Sequence, residues 1–251
     1  PDSADATNLS RLVQWLSSES DYPMQIVYAD SYADLSRILK EKPDSIGWTC
    51  GAPFVEDHSQ TGQQLVAVPL FKGQPTYHSV IITNKFHSNS KGLVDFKGKV
   101  FAYSDPRSNS GYLVPTIELK KIHASPQSFF RMTLNAHSHE GSILYVAQGV
   151  ADVAAVDEYV LEYIFKRNPE LKKKIRILES FGPFPFTPIV TGKAVSPSVL
   201  ARIQQALTKM QDHHEGRLLL NELDLDGFVV KTPDFYRPIA NMLRQVKPPV
   251  H

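Results

Sequence analysis

The sequence has a single cysteine, Cys50, so no internal disulfide can staple it and no multi-cysteine metal site can form. Neither sign of charge is in excess: 27 Lys and Arg stand against 26 Asp and Glu, a formal net charge of +1. The densest basic cluster, Lys172-Lys173-Lys174 with Arg176, follows Asn168-Pro169-Glu170 and reads as a solvated helix end. A nucleic-acid or membrane-surface role therefore has no electrostatic support. No apolar run approaches the roughly 18 residues of a membrane-spanning helix, and no signal-peptide pattern opens the chain. Gly-x-x-x-x-Gly-Lys, His-Glu-x-x-His and Gly-x-Ser-x-Gly are all missing, which leaves nucleotide hydrolysis, zinc proteolysis and the usual serine-hydrolase arrangement without support. His137-Ser138-His139 has a ligand-like i, i+2 spacing but no third ligand nearby, so neither a metal nor a cofactor is expected.

What is present is an α/β rhythm in 251 residues, 42% of them hydrophobic, enough for two lobes of roughly 100 to 130 residues. Leu9, Leu12, Val13 and Leu16 follow helical spacing, Met24 to Tyr28 reads as a strand, and Asp34 can cap a helix through Leu35, Ile38 and Leu39. Ser45 to Trp48, Gln64 to Leu70 and Tyr77 to Thr83 are of strand type, as are Val153 to Val156 and Ile175 to Leu178. Pro126 to Leu134 and Gly141 to Gly149 read as helices, Phe184 to Val190 as an extended crossing, and Ser196-Pro197 as the start of a helix through Ile203 and Leu207. Alternating helices and strands predict parallel sheets covered on both faces.

The densest local signal runs from Val100 to Lys121: a short apolar strand, a polar turn Ser104 to Gly111, and a helix with Lys120-Lys121 in its last turn. A helix N-terminus leaves backbone N–H groups without partners and carries partial positive charge. Ser108, Asn109, Ser110 and the Gly111 amide can therefore wrap an anion there, although a plain N-cap at Ser108 or Ser110 fits the same residues. The two halves of the chain also echo one another. Aligning Asp44 with Asp152 sets Trp48-Thr49 against Val156-Asp157, each pair closing a strand that follows a helix and an Asp-containing turn. Ligands of α/β sheets bind beyond such strand ends.

Tyr77-His78-Ser79-Val80-Ile81-Ile82, the run Asp105-Pro106-Arg107-Ser108-Asn109-Ser110-Gly111-Tyr112-Leu113-Val114-Pro115, Ser138-His139-Glu140 and Gly149 to Asp157 occur in this order. Together with Asp95-Phe96-Lys97-Gly98-Lys99 they resemble the phosphonate/phosphate/phosphite substrate-binding proteins of ABC transporters, over nearly the whole chain. Pro1-Asp2 resembles the residues that follow that family's first strand, which predicts a processed or cloned fragment. The resemblance implies an α/β type II periplasmic-binding-protein fold of two lobes, expected here as residues 1–82 with 189–251 and residues 83–188, joined by two crossing segments around a ligand cleft.

The family's ligand residues fall on Trp48, Tyr77, Ser108, Asn109, Ser110, Gly111, His139 and Asp157. Asn109 replaces the usual threonine, and Trp48 stands where tyrosine is common, removing a phenol donor. Asp157 is the expected discriminator, because a carboxylate repels an anion unless the ligand brings a proton or an ammonium group. Ser108, His139 and Asp157 also name the members of a catalytic triad, but an anion-gripping serine has a sufficient non-catalytic role, so no enzyme is expected. The resemblance implies a monomeric, periplasmic or extracytoplasmic solute-binding protein that hands a phosphonate, phosphite or phosphate-like anion to a membrane permease, with membrane anchoring through a segment outside this chain as one arrangement. The alternative is the ligand-sensing domain of a signalling protein with a sensor-kinase partner; the tail through Lys247-Pro248-Pro249 fits either.

Overall fold

The apolar runs fold as nine strands among the described residues: β1 (Ile46–Trp48), β2 (Gln64–Leu70), β3 (Thr76–Asn84), β4 (Val100–Tyr103), β5 (Met132–Asn135), β6 (Val153–Asp157), β7 (Ile175–Pro185), β8 (Ile189–Thr191) and β9 (Gly227–Val229). The computed structural model describes residues 3–246, so the expectations placed on Pro1-Asp2 and on Lys247-Pro248-Pro249 lie outside the described residues. Contacts divide the chain into two compact units: the chain up to Thr76 with Phe186–Phe235, and Tyr77–Pro185 with the chain from Tyr236 onward. This differs from the expected division at residues 82/83 and 188/189. β3 is one continuous strand whose Ser79 to Thr83 pair with β6, so the segment from Tyr77 belongs to the second sheet. The helix Arg237–Val246 packs on Val114–Lys121 and on β7, which takes the C-terminal segment into the second unit and adds a third passage of the chain.

In the first unit the strand order is β1-β8-β2-β9. Ile46 pairs with Thr191, Gln64 with the same Thr191, and Val68 with Val229, every one antiparallel. The expectation of a parallel sheet is thus corrected here: β8 inserts between β1 and β2 and runs opposite to both. Val66, Ala67, Val68 and Val190 are fully buried. The helix Ser3–Ser20 buries Leu12, Trp15 and Leu16 and packs against Pro197–Thr208, which buries Ile203 and Leu207 and is capped at Ser196. Met24 to Tyr28 takes no regular secondary structure and forms no ladder, and Val27 and Tyr28 are exposed, because strand-type residues become a strand only beside a neighbour that takes their N–H groups. The cap of Tyr32–Glu41 is Ser31, whose hydroxyl accepts from the Asp34 amide at 3.1 Å; Asp34 itself sits in the first turn, where its charge complements the dipole. The helix Gly51–Thr61, closed by Gly62 at φ 75°, was not legible as a helix.

In the second unit the order is β5-β4-β6-β3-β7, with β5, β4 and β6 mutually parallel and β3 antiparallel to β6. Side chains alternate across the strands. Val80, Ile82, Ala102, Ala154 and Val156 face Ile143, Val146 and Leu161 on one side. Ile81, Phe101, Val153 and Ala155 face Phe96, Leu119, Phe129 and Phe130 on the other. That double coverage explains the unbroken apolar run of β6. Pro126 to Leu134 is only a single helical turn, Pro126–Phe129, before β5 begins, because pairing of Met132 to Asn135 with β4 overrides local helix propensity.

Candidate functional site

Each of the three adjacent parallel strands of the second unit runs straight into a helix N-terminus. β4 ends at Tyr103 and leads to the turn capped by Ser108; β5 ends at Asn135 and leads to His139–Ala147, capped by Ser138; β6 ends at Asp157, which caps Glu158–Arg167. Parallel neighbours share a carboxyl edge, so three positive helix ends gather along one side of the sheet. Tyr77 reaches the same edge from the opposite direction, since β3 runs antiparallel and sets Ser79 against Asp157.

The turn after β4 is built for close approach. Ser108 Oγ accepts from the Gly111 amide at 3.0 Å, and the Ser108 carbonyl accepts from Leu113 N at 3.0 Å, five residues on. The first turn, Asn109–Leu113, is therefore a wide π turn, and the regular helix begins only at Val114. Pro115, which has no N–H, is the residue five beyond Ser110, and the hydroxyl of Ser79 donates to the Ser110 carbonyl at 2.8 Å instead. Gly111 admits no side chain: a Cβ there would overlap Ser104 Oγ. Ser108, Asn109 and Ser110 are fully buried. The Asn109 amide donates to Tyr77 Oη at 2.9 Å, which makes the phenol an acceptor toward Asn109. The departure from threonine at position 109 thus has a visible consequence, a lock on Tyr77. Ser104 Oγ and Ser110 Oγ are buried and have no hydrogen-bond partner among the described residues. An unmatched buried hydroxyl costs about 1–3 kcal/mol, which singles both out for an explanation.

His139 and Asp157 meet directly. The Asp157 backbone N–H donates to His139 Nδ1 at 3.3 Å, so the proton of the neutral ring is on Nε2, which can donate. Burial lowers the half-buried imidazole to about 4, keeping it neutral at ordinary pH. Gly141 is required two residues on, where a Cβ would run into the Ala136 carbonyl. Asp157 is 2% exposed, and burial raises its carboxyl to about 7, against the opposing pull of the Val160 and Tyr159 amides that its Oδ1 accepts and with a small further push from Glu158. In a serine-hydrolase relay the histidine Nδ1–H would donate to the aspartate carboxylate. Here Nδ1 is an acceptor from the Asp157 backbone, so Ser108, His139 and Asp157 do not form that relay.

The structure thus brings Tyr77, Ser108, Asn109, Ser110, Gly111, His139 and Asp157 to one edge of one sheet. Trp48 stands in the first unit at the end of β1, opposite Ile189, with its indole N–H donating to the Thr187 carbonyl and hydroxyl at 3.2 and 3.1 Å. The indole N–H of Trp48 is therefore committed within the first unit. Sequence reasoning missed Ser79 and Ser104. Ser79 sits inside a strand pattern with no polar signal of its own, whereas the position of Ser104 just beyond β4 and before Asp105-Pro106 was a readable clue.

A family model described as "ABC transporter, phosphonate, periplasmic substrate-binding protein" matches residues 2–236. The phosphonates-binding periplasmic protein of Escherichia coli K12 is 27% identical over 200 residues, 78% of this chain and 59% of that protein, so the chain spans less than two thirds of that relative's length. A binding-protein component of an ABC phosphonate transporter from Pseudomonas aeruginosa superposes with a TM-score of 0.88 at 24% identity, covering 97% of this chain and 82% of that one. PhnD1 of Prochlorococcus marinus, solved with methylphosphonate, gives the same TM-score of 0.88 at 17% identity over 98% of this chain and 94% of that one. The fold is that of the type II periplasmic binding proteins, two α/β units with a chain that crosses between them. With a match that runs from residue 2 to residue 236, the chain belongs to the family of periplasmic phosphonate substrate-binding proteins of ABC transporters.

Proposed function

We propose that this chain captures a phosphonate, phosphite or phosphate-like anion outside the cytoplasm and presents it to the membrane permease of an ABC transporter. The observation that carries the reading is the edge of the second sheet, where three helix N-termini gather near two buried hydroxyls that have no hydrogen-bond partner among the described residues. Ser110 donates its hydroxyl to a tetrahedral oxygen at the positive end of the turn after Ser108, and Tyr77 and neutral His139 add neutral donors. Asp157 handles the proton. At about 7 its carboxyl can donate to a fully ionised oxygen when protonated, or accept from a ligand that keeps a proton when ionised. Above about 7, where the carboxyl is ionised, a hydrogen phosphonate or hydrogen phosphate is accepted, and sulfate, which carries no proton, is repelled. Charge-assisted hydrogen bonds contribute about 1.5–3 kcal/mol each, and micromolar affinity needs about 8 kcal/mol net, so several of these donors act together. The family and the E. coli relative are described as periplasmic binding proteins, which favours uptake over the sensing alternative.

The experiment is isothermal titration of the chain, stripped of copurified ligand by unfolding and refolding, with methylphosphonate, phosphite, phosphate, 2-aminoethylphosphonate and sulfate. Binding of at least one phosphorus oxyanion is expected, with sulfate excluded at pH 8, where Asp157 is ionised. Loss of that binding in Ser110→Ala places the ion at the turn. Wild-type protein that binds none of the phosphorus ions overturns the reading.

A further inference from the structure

The family resemblance assigns the turn from Ser108 onward, but the structure adds a hydroxyl from the strand below it. Ser104 lies just past β4, is 2% exposed, and its Oγ has no hydrogen-bond partner among the described residues. It is also placed against the turn itself. A Cβ at Gly111 would overlap Ser104 Oγ, stand 3.0 Å from Ser108 Oγ and 3.3 Å from Ser104 N, so the Ser104 and Ser108 hydroxyls flank the same glycine. Burying a hydroxyl with nothing to bond costs stability, and alanine would fill nearly the same space without that cost. A purely structural account gives no reason to keep serine there.

We infer that Ser104 is a further ligand residue: its hydroxyl donates to an oxygen of the anion held by the Ser108–Gly111 turn, and position 111 is glycine so that this hydroxyl can rise beside the turn. The inference rests on the anion-binding reading above and deepens it. The chemistry also narrows the ligand class. Ser104 and Ser110 present two separate hydroxyls unmatched among the described residues, while Tyr77 and His139 supply further donors. A centre with three terminal oxygens in tetrahedral arrangement can meet donors arriving from several directions, whereas a planar carboxylate with two oxygens leaves one side unmet. A hydroxyl both donates and accepts, so Ser104 also tolerates a protonated oxygen, in keeping with the proton exchanged at Asp157.

The test is Ser104→Ala in the same 251-residue chain, with calorimetric titration of methylphosphonate, phosphite and inorganic phosphate and a thermal melt of the ligand-free protein. The expected result is an affinity about tenfold weaker for whichever ion the wild type binds, with a ligand-free melting temperature equal to or above that of the wild type. Unchanged affinity in the variant, with the wild type binding, overturns the role of Ser104 and leaves the anion site standing. A ligand-free melting temperature several degrees lower overturns it as well, because the hydroxyl is then a structural bond. A wild type that binds none of the three ions fails at the earlier step and removes both readings.

Discussion

Replacing Asp157 by asparagine separates two proton equilibria that offset each other in the native protein. Burial holds the Asp157 carboxyl at about 7 against an ordinary 3.8. The folded state therefore binds a proton that the unfolded state has released, and the stability associated with this group is lost as pH rises from about 4 to about 7. At about 1.4 kcal/mol for each pH unit, the loss is about 4 kcal/mol. His139 works in the other direction. Its ring is lowered from 6.5 to about 4, so the unfolded state binds the extra proton and stability is gained as pH rises from about 4 to 6.5, by at most about 3 kcal/mol because part of the ring meets solvent. From about 4 to 6.5 the two nearly cancel, and above that only the Asp157 loss remains. In Asp157→Asn the amide oxygen can still accept from Tyr159 and Val160, so the helix stays capped while the carboxyl proton is gone. Stability of the variant relative to wild type should rise by about 3 kcal/mol between pH 5 and pH 8. At an m-value of about 3 kcal/mol per molar urea that is a midpoint shift of about 1 M. Both tryptophans, Trp15 and Trp48, are in the first unit, so the melts are followed by circular dichroism. Parallel pH curves for the two proteins would refute an Asp157 that is buried as a neutral acid.

The same variant should lose discrimination against sulfate, since the neutral amide no longer repels a fully ionised ligand; competition titrations at pH 8 read this directly. Tyr77→Phe removes the oxygen that accepts the Asn109 amide and strands a buried donor, so a stability loss of about 1–3 kcal/mol is expected together with weaker anion binding. A melt of ligand-free protein at native stability would mean that Asn109 finds another acceptor. Gly111→Ala forces a Cβ into Ser104 Oγ and should cost about 1–3 kcal/mol and abolish binding; retained affinity would show that the turn yields without penalty.

Much of the second unit was legible because its strands are marked at both ends. Val100 to Tyr103 is apolar and bounded by Lys99 and Ser104, and it is a strand with those limits. Val153 to Val156 is apolar throughout because both its faces are covered, and Ser108 and Ser196 are caps where the sequence suggested a helix start, whereas the helix read from Gly141 begins two residues earlier, at His139, under a Ser138 cap. The misreadings came where a distant partner decided the outcome. Met24 to Tyr28 has strand composition but no paired strand among the described residues, whereas Met132 to Leu134, read as helix, has β4 beside it. The division into units moved for the same reason: β3 is committed by pairing with β6 and Arg237–Val246 by packing on Val114–Lys121, neither of which is visible locally.

The sequence by itself determined the family, the alternation of helices with strands, and the residue types able to hold a tetrahedral anion, because capping, turn chemistry and strand-end motifs are local and leave marks within a few residues. Tertiary structure alone decided the parts that depend on groups far apart in the chain. The Ser79 hydroxyl reaches the Ser110 carbonyl across 31 positions and Asn109 reaches Tyr77 across 32. Ser104 stands under Gly111 because a strand end and a π turn pack against each other. The proton on Asp157 and the tautomer of His139 follow from how deeply the meeting of two helix N-termini buries them, since a side chain's charge is set by the solvent it has lost and the partners it has gained.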